Sequence, residues 1–241
     1  MADLPRRAVG SVSDFGPLVS ADWLAAHRDE VRVVDVRWYL DDRSGRAAYE
    51  AGHLPGAVWL DVDTDLSAPA SVAEGRHPLP LPEAFAAVLD GGLSSWPAEL
   101  STDVPALSPV ARTARPWPPG RFAHADAVMA PGSAVLDARS AERYAHGDPA
   151  IDPRPGHIPG AHSAPWAGNL DPATGRFLAA AALRARFAAI GAGPAIAYCG
   201  SGVTACHDLL ALEIAGHRNT ALYPGSWSQW GADPARAAET S

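Results

Sequence analysis

Short apolar runs that carry or end in an acid recur along the chain. Val33–Val36 reads VVDV and Ala134–Asp137 reads AVLD. Apolar residues in a run of strand length, stopped by a charge, mark strands buried on both faces of a parallel sheet. Ile196–Tyr198 is a third such run. Elsewhere the period turns helical. Pro82–Leu89 (PEAFAAVL) opens with Pro-Glu and continues apolar, a helix start. Ala179–Ile190 is rich in alanine and predicts a second helix. Thr204–Ala215 (TACHDLLALEIA) is apolar on a helical period and stops at Gly216. Strands alternating with helices predict an α/β fold built on parallel sheets flanked by helices.

Two stretches of this pattern resemble each other. Each runs apolar strand, then Asp-x-Arg (Asp35–Arg37, Asp137–Arg139), then a tyrosine (Tyr49, Tyr144), then Gly-His-Leu/Ile-Pro-Gly-Ala (Gly52–Ala57, Gly156–Ala161). Both continue to a Gly-x4-Trp segment, at Gly91–Trp96 and Gly225–Trp230. Such self-similarity predicts two copies of one unit. The expected boundaries are 1–96 for the first, 122–241 for the second, and a linker over 97–121, which holds six prolines and no period. The copies are unequal, because Gly56 to Trp96 spans far less chain than Gly160 to Trp230. The first copy is short by roughly 30 residues, the size of one strand–helix–strand unit. The second copy's surplus includes IAYCGSGVTACHDLLALEIAGHRNTALY, a strand, loop, helix and strand. The first unit is therefore expected to be incomplete.

Composition narrows the chemistry. The chain has 241 residues, 47% of them hydrophobic and 19% charged, enough to bury a core. The net charge of -8 argues against nucleic acid as a partner. No apolar run is long enough to span a membrane, and no signal peptide is read, so a cytoplasmic protein is expected. All 19 basic residues are arginine, which excludes a Schiff-base or P-loop lysine. The two cysteines, Cys199 and Cys206, make no disulfide framework, and neither CxxC nor HExxH occurs. No metal and no cofactor is expected.

The segment Ala197–Cys206 (AYCGSGVTAC) carries the chemistry. A strand ends at Tyr198, a tight loop follows and a helix starts near Thr204. Cys199 then sits at the top of the sheet. Gly200 and Gly202 let the loop adopt positive φ, so the amides of 200–204 can point at the sulfur. Those amides and the helix N-terminus stabilise a thiolate, and would equally hold a persulfide. Cys206, two helical turns on, reads as a core position. A Cys-x5-Arg phosphatase loop does not fit, because Ala205 stands at the arginine's place.

The chain resembles the two-domain rhodanese-type sulfurtransferases. CGSGVTAC (199–206), PRPGHIPGA (153–161), GHLPGA (52–57), DVDTDLS (61–67), RHPLP (76–80) and GSWSQW (225–230) all match that family, over nearly the whole chain. The resemblance implies a persulfide on Cys199 and its transfer to a thiol, thioredoxin or cyanide. It also implies a first domain without the cysteine, as here. Family members that use 3-mercaptopyruvate tend to carry Cys-Gly-Ser-Gly-Val-Thr in the loop, and those that use thiosulfate tend to carry basic residues. The resemblance therefore favours 3-mercaptopyruvate as donor, with thiosulfate as the alternative. A persulfide carrier and a non-catalytic interaction module stay open beside them.

By the same resemblance Arg143 and Arg154 hold the donor's carboxylate. Arginine forks suit that end. Ser201 and Thr204 donate hydrogen bonds near the sulfur, with Gly200, Gly202 and Val203 completing the cradle. Asp63 and His77 form a polar pair facing the loop from the first half. Each arginine can equally be a surface residue, and Trp227 and Trp230 read equally as pocket wall or core. His53, His157, Asp35 and Asp137 read as structural, because both copies have them while one has the cysteine.

Overall fold

The computed structural model describes residues 17–41, 43–80 and 118–240. The helix expected over 82–89, the first glycine-to-tryptophan segment at 91–96 and the linker as far as 117 lie outside them. The first half contributes α1 (Ala21–Ala26), β1 (Val34–Asp35), α2 (Gly45–Ala51) and β2 (Val58–Trp59). The strands pair in parallel, with Val34 opposite Val58 and Asp35 opposite Trp59. Both helices start on a serine whose hydroxyl accepts a free amide, Ser20 from Trp23 and Ser44 from Ala47. Among the described residues this half packs a small core cluster of Leu24, Leu54 and Ala57, backed by Trp23 and Val33.

The second half contributes α3 (Ala125–Val128), β3 (Ala134–Asp137), α4 (Ala141–His146), β4 (His162–Ser163), α5 (Ala180–Arg186), β5 (Ala195–Tyr198), α6 (Ala205–Ala215), β6 (Thr220–Leu222) and α7 (Ser226–Trp230). Its four strands are all parallel, in the order β4-β3-β5-β6. β5 is buried along its whole length, as its unbroken AIAY requires. Successive residues of β3 and β5 face opposite ways. Leu136, Ala195, Ala197 and Cys199 pack on one face with Leu183, Phe187, Ala211 and Leu212 of the α5–α6 region. Val135, Ile196 and Tyr198 pack on the other with Val128, Ile158 and Tyr223, and with Trp227 and Trp230 of α7. Both tryptophans are core.

The repeat is structural as well as sequential. In each half the aspartate ending the strand pairs with the arginine two residues on, Asp35–Arg37 at 2.7 Å and Asp137–Arg139 at 2.6 Å. That arginine donates to a glycine carbonyl, Gly52 or Gly156, at 2.8 Å. The tyrosine hydroxyl donates to Ala57 or Ala161, and its ring stacks on His53 or His157 at centroid separations of 3.9 and 3.7 Å. The histidines and aspartates common to both copies are thus architectural. They clamp a strand, the next helix and the turn after it.

The halves meet through a turn that reaches out of the first. Ser71 and Gly75 bond backbone to backbone, closing a narrow loop. Gly75 has φ +92°, and a Cβ there would stand 2.8 Å from the Gly225 carbonyl. Only glycine lets the turn lie this close to α7. Arg76 follows, its N–H donating to Ser228 Oγ at 3.1 Å.

Candidate active site

Cys199 follows the carboxyl end of β5, a central strand, which is where open parallel sheets place their ligands. Neighbouring groups turn its loop. The amides of Trp227 and Ser228 donate to the carbonyls of Cys199 and Gly200, each at 2.9 Å. The Gly202 N–H donates to Cys199 Sγ at 3.1 Å. Gly202 has φ +91°, and a Cβ there would meet the Pro224 carbonyl at 2.9 Å. Gly200 serves differently from the expectation of positive φ. It keeps space clear, because a Cβ would stand 2.7 Å from Arg76 Nη2 and 2.9 Å from Arg143 Nη2.

Ser226 supports the loop at a conformational cost. Its φ of +51° is in the left-handed region that side chains avoid. Its hydroxyl accepts from the Cys199 N–H at 3.2 Å and donates to the Tyr223 carbonyl at 2.9 Å. Strain of this kind persists where surrounding contacts over-determine it, and it clusters at functional sites.

The sulfur opens onto a cleft of about 130 Å³ lined by Trp38, Leu40, Arg76, Arg139, Ser140, Arg143, Trp166, Cys199, Gly200, Ser201, Val203 and Thr204. Arg143 enters it from the first turn of α4, which Ser140 caps. A two-pronged bond to Asp152 holds it, Nε to Oδ2 at 3.0 Å and Nη2 to Oδ1 at 2.6 Å. Arg76 enters from the first half and donates Nη1 to the Ile151 carbonyl at 2.6 Å. Burial, and then the charge of Arg143 beside it, lowers its pKa below the ordinary arginine value. Two guanidiniums thus converge over Gly200, within the span of one carboxylate.

Ser201, which lines the same cleft, ends a relay of three side chains. Ser201 Oγ is 2.7 Å from His77 Nδ1, and His77 Nε2 is 2.7 Å from Asp63 Oδ1. With Nε2–H donating to the carboxylate, Nδ1 accepts the serine proton. Trp38 Nε1 donates to the same carboxylate at 3.2 Å, and its ring meets His77 edge-on. Asp63 and His77 stand behind Ser201 rather than on the cleft wall.

Cys199, Ser201, Arg143, Gly200, Val203 and Thr204 therefore come together, and Gly202, Asp63 and His77 support them. Arg154 does not join them. Its Nη2 donates to the carbonyls of Arg236 at 2.6 Å and Asp233 at 3.4 Å, which ties down the C-terminal segment. The expected pairing of Arg154 with Arg143 is not what the fold builds: Arg76, not Arg154, lines the cleft beside Arg143. Cys206, expected in the core, is exposed on α6. Sequence reasoning missed Arg76, although it adjoins His77 in the quoted RHPLP. It also passed over Trp38, Leu40, Trp166 and Ser226, for which only the fold supplies the signal, and it read Arg139 only as part of the repeated Asp-x-Arg motif.

Comparison with known proteins agrees with this geometry. Residues 123–233 match the rhodanese-like domain family. A probable 3-mercaptopyruvate sulfurtransferase of Pseudomonas aeruginosa is 37% identical over 279 residues, covering 92% of this chain and 98% of that one. A putative thiosulfate sulfurtransferase of Mycobacterium tuberculosis is 33% identical over 258 residues, covering 86% and 90%. The structure of the 3-mercaptopyruvate sulfurtransferase from Leishmania major superposes with a TM-score of 0.71 at 26% identity, covering 90% of this chain and 74% of that one.

Proposed function

From the premise that this chain belongs to the rhodanese-type sulfurtransferases, we propose that it takes sulfur from 3-mercaptopyruvate through a persulfide on Cys199. The Cys-Gly-Ser-Gly-Val-Thr loop favours this donor, and the observation that carries the reading is that the guanidiniums of Arg76 and Arg143 converge over Gly200 to take its anionic end. A 2-keto carboxylate presents two adjacent acceptors to such a pair. Held there, the donor's thiol sulfur lies against Cys199.

The Cys199 thiolate attacks that sulfur. The new S–S bond forms as the C–S bond breaks, and the carbon keeps the electron pair as pyruvate enolate. Arg76 and Arg143 stabilise the developing enolate charge, and the hydroxyls of Ser201 and Thr204 lie on the same wall. The proton from the donor's thiol ends on the enolate carbon, giving pyruvate. Ser201, bonded to His77 and through it to Asp63, is built to pass that proton. A nucleophile, cyanide or the thiol of a carrier such as thioredoxin, then takes the outer persulfide sulfur and releases the Cys199 thiolate. Both cysteines are free, which suits a reducing cytoplasm.

Thiosulfate is the second reading. The loop has no cation of its own, but Arg76 and Arg143 supply two positive charges at it, which a dianion can use. The shortened first unit serves by what its loops deliver: Arg76, His77, Asp63 and Trp38.

The test is intact-protein mass spectrometry after brief exposure to each donor. A gain of about 32 Da, released by cyanide and absent in Cys199→Ser, is expected for a persulfide on a reactive thiolate. The donor that loads faster is expected to be 3-mercaptopyruvate. A gain that persists in Cys199→Ser, or no gain from either donor, would overturn the mechanism.

A further inference from the structure

Asp152 does not itself line the cleft, yet everything positive in the cleft is arranged around it. Its side chain is 1% exposed. It takes both prongs of Arg143, at 3.0 and 2.6 Å. It also takes the Asp148 N–H at 2.9 Å, and it lies 3.6 Å from Arg139 Nη1. The residue before it, Ile151, holds Arg76 through its carbonyl. One short turn, 148–152, therefore holds both guanidiniums that meet at Gly200. Arg139 itself is fully buried, paired with Asp137, and its Nη1 has no hydrogen-bond partner among the described residues.

We propose that Asp152 is a positioning residue that sets the donor preference, by aiming Arg143 and by offsetting one of the cleft's positive charges. The proposal rests on the reading that Arg76 and Arg143 take the donor's anionic end. Two physical effects carry it. With Nε and one Nη2 hydrogen committed to Asp152, Arg143 presents one fixed edge to the cleft, and a planar keto acid depends on that edge more than a tetrahedral sulfur anion does. The second effect is charge. Three guanidiniums, of Arg76, Arg139 and Arg143, face two buried carboxylates, Asp137 and Asp152. Removing one carboxylate raises the potential in the cleft, and attraction to it scales with the ligand's charge. A dianion gains more from that change than a monoanion.

The experiment is steady-state sulfur transfer by the full chain, with 3-mercaptopyruvate and with thiosulfate, in Asp152→Asn. The KM for mercaptopyruvate is expected to rise about ten- to a hundredfold, the worth of a charge-assisted hydrogen bond, with kcat changed far less. The ratio of kcat/KM for thiosulfate to that for mercaptopyruvate is expected to rise by about tenfold. An equal fall for both donors, the mark of a merely structural residue, would overturn the proposal, and so would no change. Asp152→Glu, which restores the charge, is expected to return the donor ratio to the wild-type order. A Glu variant that keeps the altered ratio would overturn it, and this variant serves if Asp152→Asn does not fold. Arg143→Ala separates the two ideas. If it raises the mercaptopyruvate KM and Asp152→Asn does not, the role of Asp152 fails alone. If Arg143→Ala leaves KM unchanged, the donor reading fails and takes the proposal with it.

Discussion

In sequence Arg143 and Arg154 are equivalent candidates, and in the fold they do different work. Arg143 lines the cleft, while Arg154 bonds the carbonyls of Arg236 and Asp233. Arg143→Ala and Arg76→Ala are each expected to raise the KM for 3-mercaptopyruvate about tenfold or more, the loss of a charged hydrogen bond. Arg154→Ala is expected to leave KM unchanged and to lower the melting temperature by about 3 °C, the effect of roughly one kcal/mol in a chain of this size. Steady-state kinetics beside thermal melts check all three. A KM effect from Arg154→Ala equal to that from Arg143→Ala would return Arg154 to the site.

At the scale of elements, α6 carries two ionisable neighbours, half-buried His207 and buried Asp208, whose pH effects oppose. Burial pushes the Asp208 carboxyl up to about 7 from its ordinary 3.8, outweighing the hydrogen bond from Asn169. Burial pushes His207 down to about 4 from 6.5. Between about pH 4 and 7 the unfolded chain ionises Asp208 while the folded chain keeps it protonated. The folded state holds more protons, so stability falls as pH rises through that window. For His207 the unfolded chain holds the extra proton between about pH 4 and 6.5, so stability rises with pH there. The two nearly cancel over their shared range. Asp208→Asn removes one side of this balance. Its stability relative to wild type is expected to grow from pH 4 to 7, by on the order of 4 kcal/mol. Denaturant melts at pH 4.5 and 7.5 read the difference, and a pH-independent offset would show that Asp208 ionises normally.

The same scale explains the turn at Gly75. Its positive φ and its approach to Gly225 leave no space for a side chain. Gly75→Ala is expected to displace Arg76 and His77 together and to slow persulfide formation at least tenfold, with the second unit still folded. Loading rates measured beside circular dichroism check this. Wild-type loading in the variant would show that the turn does not place these residues.

Across the whole molecule the described parts of the two copies differ in how much they bury. The second unit packs two clusters on the faces of a four-stranded sheet, while the described part of the first packs three core residues beside a strand pair. Local stability follows buried apolar contact. Amides of β1 and β2 are therefore expected to exchange with solvent faster than those of β3 and β5. Equal protection would show that the first unit is held as firmly as the second.

Much of this was legible in the chain because it is local. The strand ending at Tyr198, the glycine loop after it and the helix that stops at Gly216 depend on neighbours in sequence, and the structure reproduces them. The repeated Asp-x-Arg, Tyr and Gly-His motifs declared two copies because each copy closes its own clamp between one strand, the next helix and the turn after it. The unreadable part is long-range. Arg76 meets Arg143 only because a turn of the first half docks on α7, and Ser201 meets His77 across 124 residues of chain. Ser226 carries no motif that predicts its strained backbone, since the strain is imposed by the carbonyl of Tyr223 and the amide of Cys199. Sequence alone thus determined the nucleophile, its loop and the fold around it, through short-range geometry and hydrophobic period. Which cations face the sulfur was decided only by tertiary packing, because charge acts through space and the chain order says nothing of which distant turns come within its reach.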